Sequence, residues 1–307
     1  MIKKGIVYCT TGSIHRIKSE GQFYDCRIKG KFRIKGIKST KPLAVGDKVS
    51  FVIEPKKDAE GIITSIETRQ NYIIRKSVNL SKQTHIIAAN IDQVFLMITL
   101  KTPQTFPAFI DRFLVTAQAY EIDVVLLFNK IDIYNKEELN AMTSLKGVYQ
   151  KIGYECHEVV ATDSKTLDII DSKMKGKVSM FCGHSGVGKS TLVNALSPGL
   201  NLKTGMVSKQ NQQGQHTTTF AEMFDLGASR IIDTPGIKGF GIVGIKPEEL
   251  SGYFIEFAIL KGGCKFNNCL HTSEPNCAIK EAIEEGEIAP SRYKSYLQLL
   301  KEDSLYR

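Results

Sequence analysis

Short apolar segments alternate with turn-forming residues along residues 1–70 of the chain. The apolar segments span residues 6–9, 23–28, 32–34, 48–53 and 62–66, and glycines fall between or beside them. Such segments predict a small all-β module of five strands that close into a barrel of the oligonucleotide-binding (OB) type. An SH3-like barrel is the alternative that fits the same pattern.

The pattern changes near residue 86 to continuous apolar strands that alternate with helical stretches. Predicted strands span 93–99, 124–128, 158–161, 178–182 and 229–232; predicted helices span 108–120 and 136–153, and another begins near 189. This alternation is typical of a parallel α/β sheet. From residue 246 the strand pattern stops and helical patterns surround a cysteine cluster. The prediction is therefore a multidomain chain with a barrel at 1–72, an α/β domain at 80–243 and a mainly helical domain at 246–307.

One segment carries the pattern G-x-x-x-x-G-K-[ST] between an apolar strand and a helical run, which is the context in which this pattern binds phosphate. Its glycines let successive backbone N–H groups point at a phosphate, and the helix N-terminus adds partial positive charge. We expect Lys189 to reach the β- and γ-phosphates of a nucleotide and the Ser190 hydroxyl to coordinate Mg²⁺. The predicted phosphate loop comprises Gly183, His184, Ser185, Gly186, Val187, Gly188, Lys189, Ser190 and Thr191.

Two further segments complete the predicted phosphate site. Asp233-Thr-Pro-Gly236 follows an apolar strand, so we expect Asp233 to hold a Mg²⁺-bound water and the Gly236 N–H to bind the γ-phosphate. Residues 208–219 are polar and without apolar periodicity, which predicts a switch loop that orders around a γ-phosphate. Thr218 of this loop is a predicted Mg²⁺ or nucleotide contact; a plain surface loop is the alternative.

The sequence Asn129-Lys130-Ile131-Asp132 directly follows a buried strand, so its side chains should emerge at the carboxyl edge of the sheet. The Asp132 carboxylate can accept from N1–H and the 2-amino group of guanine, a donor pair that adenine lacks. We expect Asn129 to bind guanine N7 and brace the phosphate loop, while the stem of Lys130 covers the base. A second guanine contact is expected from the backbone at Ala161.

The order of these motifs is unusual. In ordinary GTPases the phosphate loop precedes N-K-x-D, whereas here residues 129–132 precede residues 183–190. A sheet tolerates circular permutation when its old termini lie close enough to be joined, and the new termini can then carry extra domains. The motifs together predict a circularly permuted P-loop domain that binds GTP or GDP with Mg²⁺.

Three cysteines and one histidine lie within fourteen residues near the C-terminus: Cys264, Cys269, His271 and Cys277. Three thiolates and an imidazole are the ligand set of a closed, tetrahedral structural Zn²⁺ site. Because four protein ligands leave no open coordination position, we expect one structural zinc that folds a small domain. Unrelated cysteines beside a surface histidine are the alternative. The other four cysteines are isolated in apolar segments and predict reduced core residues.

The net charge of +9 is concentrated at one end of the chain. Residues 1–80 contain 17 Lys and Arg against 7 Asp and Glu, a surplus of ten, so the remaining residues are nearly neutral. A basic module on a neutral body is typical of nucleic-acid binding, because cations neutralise phosphates and release counterions. A solvated basic surface is the alternative.

No apolar run reaches the roughly 20 residues that a membrane-spanning helix requires. The first residues also lack the apolar segment of a secretory signal. We therefore expect a cytoplasmic protein that does not contact a membrane. No heptad run or extended apolar helix face demands a partner, so a monomer is the default expectation.

The chain resembles the bacterial RsgA (YjeQ) family of ribosome small subunit-dependent GTPases. The features that carry the resemblance are the barrel, N-K-I-D before G-H-S-G-V-G-K-S-T, the G-Q-H-T-T-T loop, D-T-P-G and the Cys-Cys-His-Cys cluster. The resemblance covers essentially the whole chain. It implies an OB-fold domain, a circularly permuted GTPase domain and a zinc domain, in that order. It also implies late maturation of the 30S ribosomal subunit and its rRNA as the function, with slow GTP hydrolysis that the subunit stimulates.

Two positions depart from the family pattern. Gln215 stands where the family loop usually has arginine, which removes any role of that arginine here. Val160 stands where the family usually has serine, but a backbone N–H contact from Ala161 would survive that change.

The position that orients the attacking water in many GTPases is occupied by Ile237, whose aliphatic side chain cannot bind water. Hydrolysis by the free protein should therefore be slow. His216 in the predicted switch loop is the candidate catalytic group, as the resemblance also suggests; an ordinary loop histidine is the alternative. A pure GTP-dependent binding switch is a rival interpretation, and a kinase that shares only the phosphate loop is disfavoured by Asn129 and Asp132.

Overall fold

The computed structural model describes residues 2–28, 42–54, 60–76, 84–200, 221–233 and 245–304. Five strands form the N-terminal barrel: β1 (Ile2–Thr11), β2 (Ile14–Ser19), β3 (Gln22–Ile28), β4 (Lys48–Ile53) and β5 (Glu60–Ile66). Their order is β1-β2-β3-β5-β4, and β4 pairs back with β1 to close the barrel. β3 and β5 run parallel and the other pairs antiparallel. This closed order confirms the OB-type barrel over the SH3-like alternative.

One barrel strand differs from the prediction. β2 was not predicted, because two of its inward positions, His15 and Ser19, are polar and hide the alternation. The Ser19 hydroxyl donates to the carbonyl of Lys4 at 2.6 Å, which satisfies it inside the barrel. The strand predicted at 32–34 lies outside the described residues.

In the described residues, the central domain is a six-stranded sheet flanked by helices. Its strands are β8 (Gln93–Ile98), β9 (Asp123–Asn129), β10 (Glu155–Val159), β11 (Val178–Cys182), β12 (Glu222–Leu226) and β13 (Ser229–Asp233). The order is β10-β9-β8-β11-β13-β12, with β12 antiparallel and the rest parallel. Its helices are α1 (Pro107–Ala119), α2 (Lys136–Lys151), α3 (Ser164–Met174) and α4 (Lys189–Leu196).

The predicted parallel α/β sheet is confirmed, with local differences. The strand predicted at 158–161 lies earlier, at Glu155–Val159, because polar residues at the sheet edge weaken its apolar signal. β12 and α3 were not predicted. A two-stranded hairpin of β6 (Tyr72–Lys76) and β7 (Thr84–Ala89), also not predicted, lies between the barrel and the sheet.

The C-terminal region contains α5 (Pro247–Leu250), α6 (Ile255–Leu260), α7 (Ala278–Glu284) and α8 (Pro290–Ser304), and its described residues include no strand. It packs on the central domain through α8 against α1. At that contact the buried guanidinium of Arg292 binds Asp111 of α1 at 2.6 Å and Glu256 of α6 at 2.6 Å. The Tyr149 hydroxyl donates to the same Asp111 carboxylate at 2.8 Å.

The barrel and the central sheet are also joined directly. Strand β1 pairs with β12 at Cys9 and Glu222, so the barrel and sheet form one continuous eleven-stranded sheet. Beside this pairing, Asp225 accepts a 2.6 Å hydrogen bond from the Tyr8 hydroxyl and a bond from the Lys18 ammonium. Among the described residues, no helix is both long and apolar enough to cross a bilayer.

Candidate nucleotide site and metal centre

The predicted phosphate loop connects β11 to α4 at the carboxyl edge of the sheet. Its backbone requires glycine, since Gly183 and Gly188 have φ angles of +149° and +104°. A Cβ atom at Gly188 would lie 2.4 Å from Asn129 Nδ2, so the loop and the base motif leave no room for a side chain there. The loop therefore curls tightly into the first turn of α4.

The phosphate-loop lysine lies beside the aspartate of the D-x-x-G sequence. Lys189 begins α4, and its Nζ is 3.7 Å from Oδ1 of Asp233 at the end of β13. Both side chains are buried. Because β11 and β13 are neighbours in the sheet, the turn after one strand meets the end of the other. This arrangement brings a cation for phosphate next to a carboxylate that suits a metal-bound water.

The base motif is held against the phosphate loop by two side chains. Asn129 Nδ2 donates a 2.8 Å hydrogen bond to the carbonyl of Val187, and Lys130 Nζ donates one of 2.8 Å to the carbonyl of Gly186. Lys130 adopts a left-handed backbone conformation with φ 66°, and burial lowers the pKa of its ammonium. Asp132 follows Lys130 by two residues, lies in the short 3₁₀ helix Ile131–Ile133 and is exposed. Its carboxylate is thus accessible to a ligand beside the loop.

The predicted second base contact follows β10, which neighbours β9 in the sheet. Ala161 is buried, and two hydrogen bonds of Asp163 stabilise the turn around it. The Asp163 N–H donates to the carbonyl of Val160 at 2.9 Å, and the Asp163 carboxylate accepts from the Thr166 N–H at 3.1 Å to cap α3. This cap and the helix that it begins were not predicted, although aspartate before a helical pattern is a recognised start signal.

The remaining predicted site residues divide into two groups. His184 packs against the Phe109 ring of α1 with centroids 4.0 Å apart, and Ile131 is part of the 3₁₀ helix. The rest of the phosphate loop, Ser185, Ser190 and Thr191, lies in the turn or in the first turn of α4. The other predicted residues lie outside the described part of the chain: His216, Thr218 and Gly236, together with Gln215 and Ile237.

The four predicted metal ligands converge on one point. One ligand atom each from Cys264, Cys269, His271 and Cys277 lies within 4.8 Å of the others. His271 Nδ1 is 3.6 Å from the Cys264 sulfur and 3.3 Å from the Cys277 sulfur, and those two sulfurs are 3.9 Å apart. Nδ1 is therefore the nitrogen that faces the thiols.

These distances match a tetrahedral zinc centre. In a tetrahedron, Zn–S bonds of about 2.3 Å and a Zn–N bond of about 2.05 Å imply S···S distances of about 3.8 Å and S···N distances of about 3.6 Å. Burial lowers the pKa of His271, which favours the neutral imidazole that binds metal. The residues thus fit one structural Zn²⁺, which when bound ties the four ligands together.

The loop that carries the ligands is supported by its neighbours. The hydroxyl of Tyr293 donates to the carbonyl of His271 at 2.7 Å, and that of Tyr296 donates to the carbonyl of Leu270 at 2.8 Å. The Glu274 carboxylate accepts from the N–H groups of Leu270 and Thr272 at 2.8 Å and 2.7 Å. Although burial opposes the charge, these hydrogen bonds lower the pKa of Glu274 to about 2. The carboxylate therefore stays ionised and holds the loop.

Two family models match the N-terminal and central parts of the chain. A family model described as RsgA GTPase matches residues 66–243, and one described as RsgA N-terminal domain matches residues 4–63. The chain belongs to the RsgA GTPase family. It is therefore a GTP hydrolase that binds GTP or GDP together with Mg²⁺, and its cysteine and histidine cluster fits one structural zinc.

Relatives and solved structures agree with this assignment over the full chain. The "Small ribosomal subunit biogenesis GTPase RsgA" of Christiangramia forsetii is 61% identical over 99% of this chain and 98% of its own length. The crystal structure of YjeQ from Thermotoga maritima matches with a TM-score of 0.78 at 35% identity, covering 98% of both chains. YloQ, described as a circularly permuted GTPase, matches with a TM-score of 0.74 at 28% identity, covering 100% of this chain and 96% of its own.

Proposed function

We propose that this GTPase assists late maturation of the 30S ribosomal subunit. In this proposal the barrel and the zinc domain bind rRNA, and loss of the γ-phosphate weakens that binding. GTP hydrolysis would be slow in the free protein and faster on the subunit. Support comes from the relatives named for small ribosomal subunit biogenesis, which are 61% and 50% identical over 99% of the chain. The basic surplus of residues 1–80 also supports an RNA partner.

The observation that carries the proposal is the attachment of the barrel to the β12–β13 hairpin. This hairpin connects the predicted switch loop to the D-x-x-G sequence, and its outer strand pairs with β1 of the barrel. Asp225 on β12 binds both Tyr8 and Lys18 of the barrel. A rearrangement of either switch segment would therefore act on the strand that carries the barrel.

One face of the barrel suits single-stranded RNA. Phe23 is 48% exposed, and the Lys18 ammonium lies 5.6 Å from its ring centroid. Arg16, on the same face of β2 as Lys18, is exposed and pairs only loosely with Asp25, at 3.4 Å. An exposed aromatic ring can stack on a base while a neighbouring cation neutralises a phosphate; Arg16 is the candidate for that role, because the Lys18 ammonium is already paired with Asp225. We assign this face to the rRNA contact.

Within the nucleotide site, the proposal gives Asn129, Asp132 and Ala161 to the guanine base. Lys189 contacts the β- and γ-phosphates, and Ser190 coordinates Mg²⁺. Asp233 and Gly236 act on the metal-bound water and the γ-phosphate, and Thr218 completes the site from the switch loop. His216 is proposed to orient the attacking water when the subunit is bound, because Ile237 cannot.

We further propose three domains, a monomeric state and a cytoplasmic location for the chain. The RNA-binding barrel spans 1–72, the GTPase domain 80–243 and the zinc domain 246–307. The protein acts as a cytoplasmic monomer without membrane contact. Cys264, Cys269, His271 and Cys277 hold the zinc that folds the last domain.

Co-sedimentation with purified ribosomal subunits tests the proposal. We expect the protein to pellet with small subunits in the presence of a non-hydrolysable GTP analogue and to pellet less with GDP. Asp225→Ala should keep GTP affinity but reduce the difference between the two nucleotide states, whereas Asp168→Ala, an exposed aspartate on α3, should not. Equal pelleting with large subunits, or no nucleotide dependence in the wild type, would overturn the proposal.

A further inference from the structure

The tyrosine that follows the base motif is buried beside the candidate guanine site. Tyr134 is 8% exposed and comes directly after the 3₁₀ helix Ile131–Ile133. Its hydroxyl donates a 2.9 Å hydrogen bond to the carbonyl oxygen of Asn129 and accepts one of 2.9 Å from the N–H of Leu100. One side chain therefore joins the chain segments that leave β8 and β9.

The two hydrogen bonds of the Tyr134 hydroxyl lie just beyond the last backbone pairing of β8 with β9. The last paired residues of β8 and β9 are Ile98 and Phe128, and beyond them the two strands separate. Backbone N–H and C=O groups that are shielded from water need a hydrogen-bond partner. The Tyr134 hydroxyl supplies a partner for one group of each kind, so it extends the cross-strand connection into the base motif. Losing the hydroxyl would remove this shared partner from both backbone groups.

The loop after β8 meets the base motif at a second point. Lys130 Nζ donates to the carbonyl of Thr102 at 2.5 Å as well as to that of Gly186 at 2.8 Å. Next to Thr102, the ammonium of Lys101 lies 5.8 Å from the centroid of the Tyr134 ring. The loop, the base motif and the phosphate loop are thus fastened to one another, and the Tyr134 ring lies inside this arrangement.

We propose that Tyr134 is a positioning residue for guanine recognition. Its bond to Asn129 closes the segment from residue 129 to residue 134 at both ends, and Asp132 lies within that closed segment. The Asp132 carboxylate is then already held, before the nucleotide binds, where it can accept from N1–H and the 2-amino group of guanine. Binding therefore does not have to order it. The inference rests on the guanine site of the proposed function and adds the residue that sets its geometry.

The test compares Tyr134→Phe with Tyr149→Phe, which removes another buried tyrosine hydroxyl, 2.8 Å from Asp111 and distant from the base motif along the chain. Binding of GDP and of inosine diphosphate, which lacks only the 2-amino group, is measured for each variant and the wild type. We expect Tyr134→Phe to bind GDP about tenfold more weakly, the scale of a lost bridging hydrogen bond. Its preference for GDP over inosine diphosphate should fall, whereas Tyr149→Phe should keep both values.

An unchanged GDP affinity and preference in folded Tyr134→Phe would overturn the inference. Failure of the proposed guanine site gives a different result, because the wild type would then not prefer GDP to ADP. Hydrogen exchange of the wild-type Leu100 amide tests the same link without any substitution. GDP should slow exchange at Leu100 and leave amides of barrel strand β4 unaffected, and no change at Leu100 would contradict the inference.

Discussion

The side-chain amide of Asn129 donates a 2.8 Å hydrogen bond to the carbonyl oxygen of Val187, 58 residues further along the chain. This bond joins the base motif to the phosphate loop in the order opposite to that of ordinary GTPases. The contact survives permutation because β9, β8 and β11 are neighbours in the sheet whichever way the chain connects them. The nucleotide site therefore depends on sheet position and not on motif order.

Asp132→Asn should change the base preference of the protein. An amide can no longer accept from both N1–H and the 2-amino group of guanine, but it can donate to the 2-carbonyl of xanthine. We expect GTP affinity to fall by about 10- to 100-fold, the scale of a mismatched buried polar contact, while xanthosine triphosphate gains affinity. Competition binding with both nucleotides measures this. Asp168→Asn on α3 is the control, and an unaltered preference in Asp132→Asn would place the base elsewhere.

Gly188→Ala should weaken nucleotide binding. The new Cβ would lie 2.4 Å from Asn129 Nδ2, and the residue has a φ angle of +104°, so the loop and the base motif must separate. Strain of this kind costs about 1–3 kcal/mol, and where the free protein relieves it by moving the loop out of its binding conformation, affinity falls by roughly 5- to 150-fold. Gly199→Ala is the matched control, since no atom lies within 4 Å of its added Cβ. GDP titration should separate the two variants, and equal affinities would contradict the geometry.

Removal of the metal should unfold the C-terminal domain before the rest of the chain. Cys277→Ser removes one thiolate from the cluster, and the expected zinc content of one ion per chain should be lost or greatly weakened. Hydrogen exchange should then accelerate in α6 and α7 and remain slow in the barrel. Cys156→Ser, outside the cluster, should retain one zinc. Full zinc content in Cys277→Ser would show that this cysteine is not a ligand.

Arg292→Met should destabilise the contact between the zinc domain and the GTPase domain. The substitution leaves Asp111 and Glu256 buried without their cation, which typically costs about 3–5 kcal/mol. Urea unfolding measures the loss, and Lys294→Met, an exposed position on the same helix, is the control. If Arg292→Met lowers the free energy of unfolding by less than about 1 kcal/mol, the ion pairs of Arg292 with Asp111 and Glu256 do not hold the two domains together.

The local structure around the predicted nucleotide site follows from sequence because its motifs are continuous in the chain. The phosphate loop is continuous from Gly183 to Thr191, and the predicted start of α4 at Lys189 is confirmed. The hydrogen bonds of the Tyr134 hydroxyl could not be predicted, since a hydroxyl that bridges two backbone groups leaves no periodic pattern in the sequence.

Long-range polar contacts escaped prediction for a related reason. Arg292 and Asp111 are 181 residues apart, and charged residues are expected at the surface unless they are paired. The contact of Asp225 with Tyr8 spans 217 residues and depends on β12, a strand that its mixed polar and apolar sequence did not reveal. Domain contents were therefore predictable, whereas the contacts that join the domains were not.

The most direct test of the account is GTP and ATP hydrolysis by the purified protein, alone and with added small or large ribosomal subunits. The account predicts slow turnover of GTP only, raised specifically by the small subunit, and loss of that stimulation in His216→Ala with GTP binding retained. Equal stimulation by both subunits, or none by either, would contradict the ribosomal role and leave a GTPase whose basic barrel binds something else.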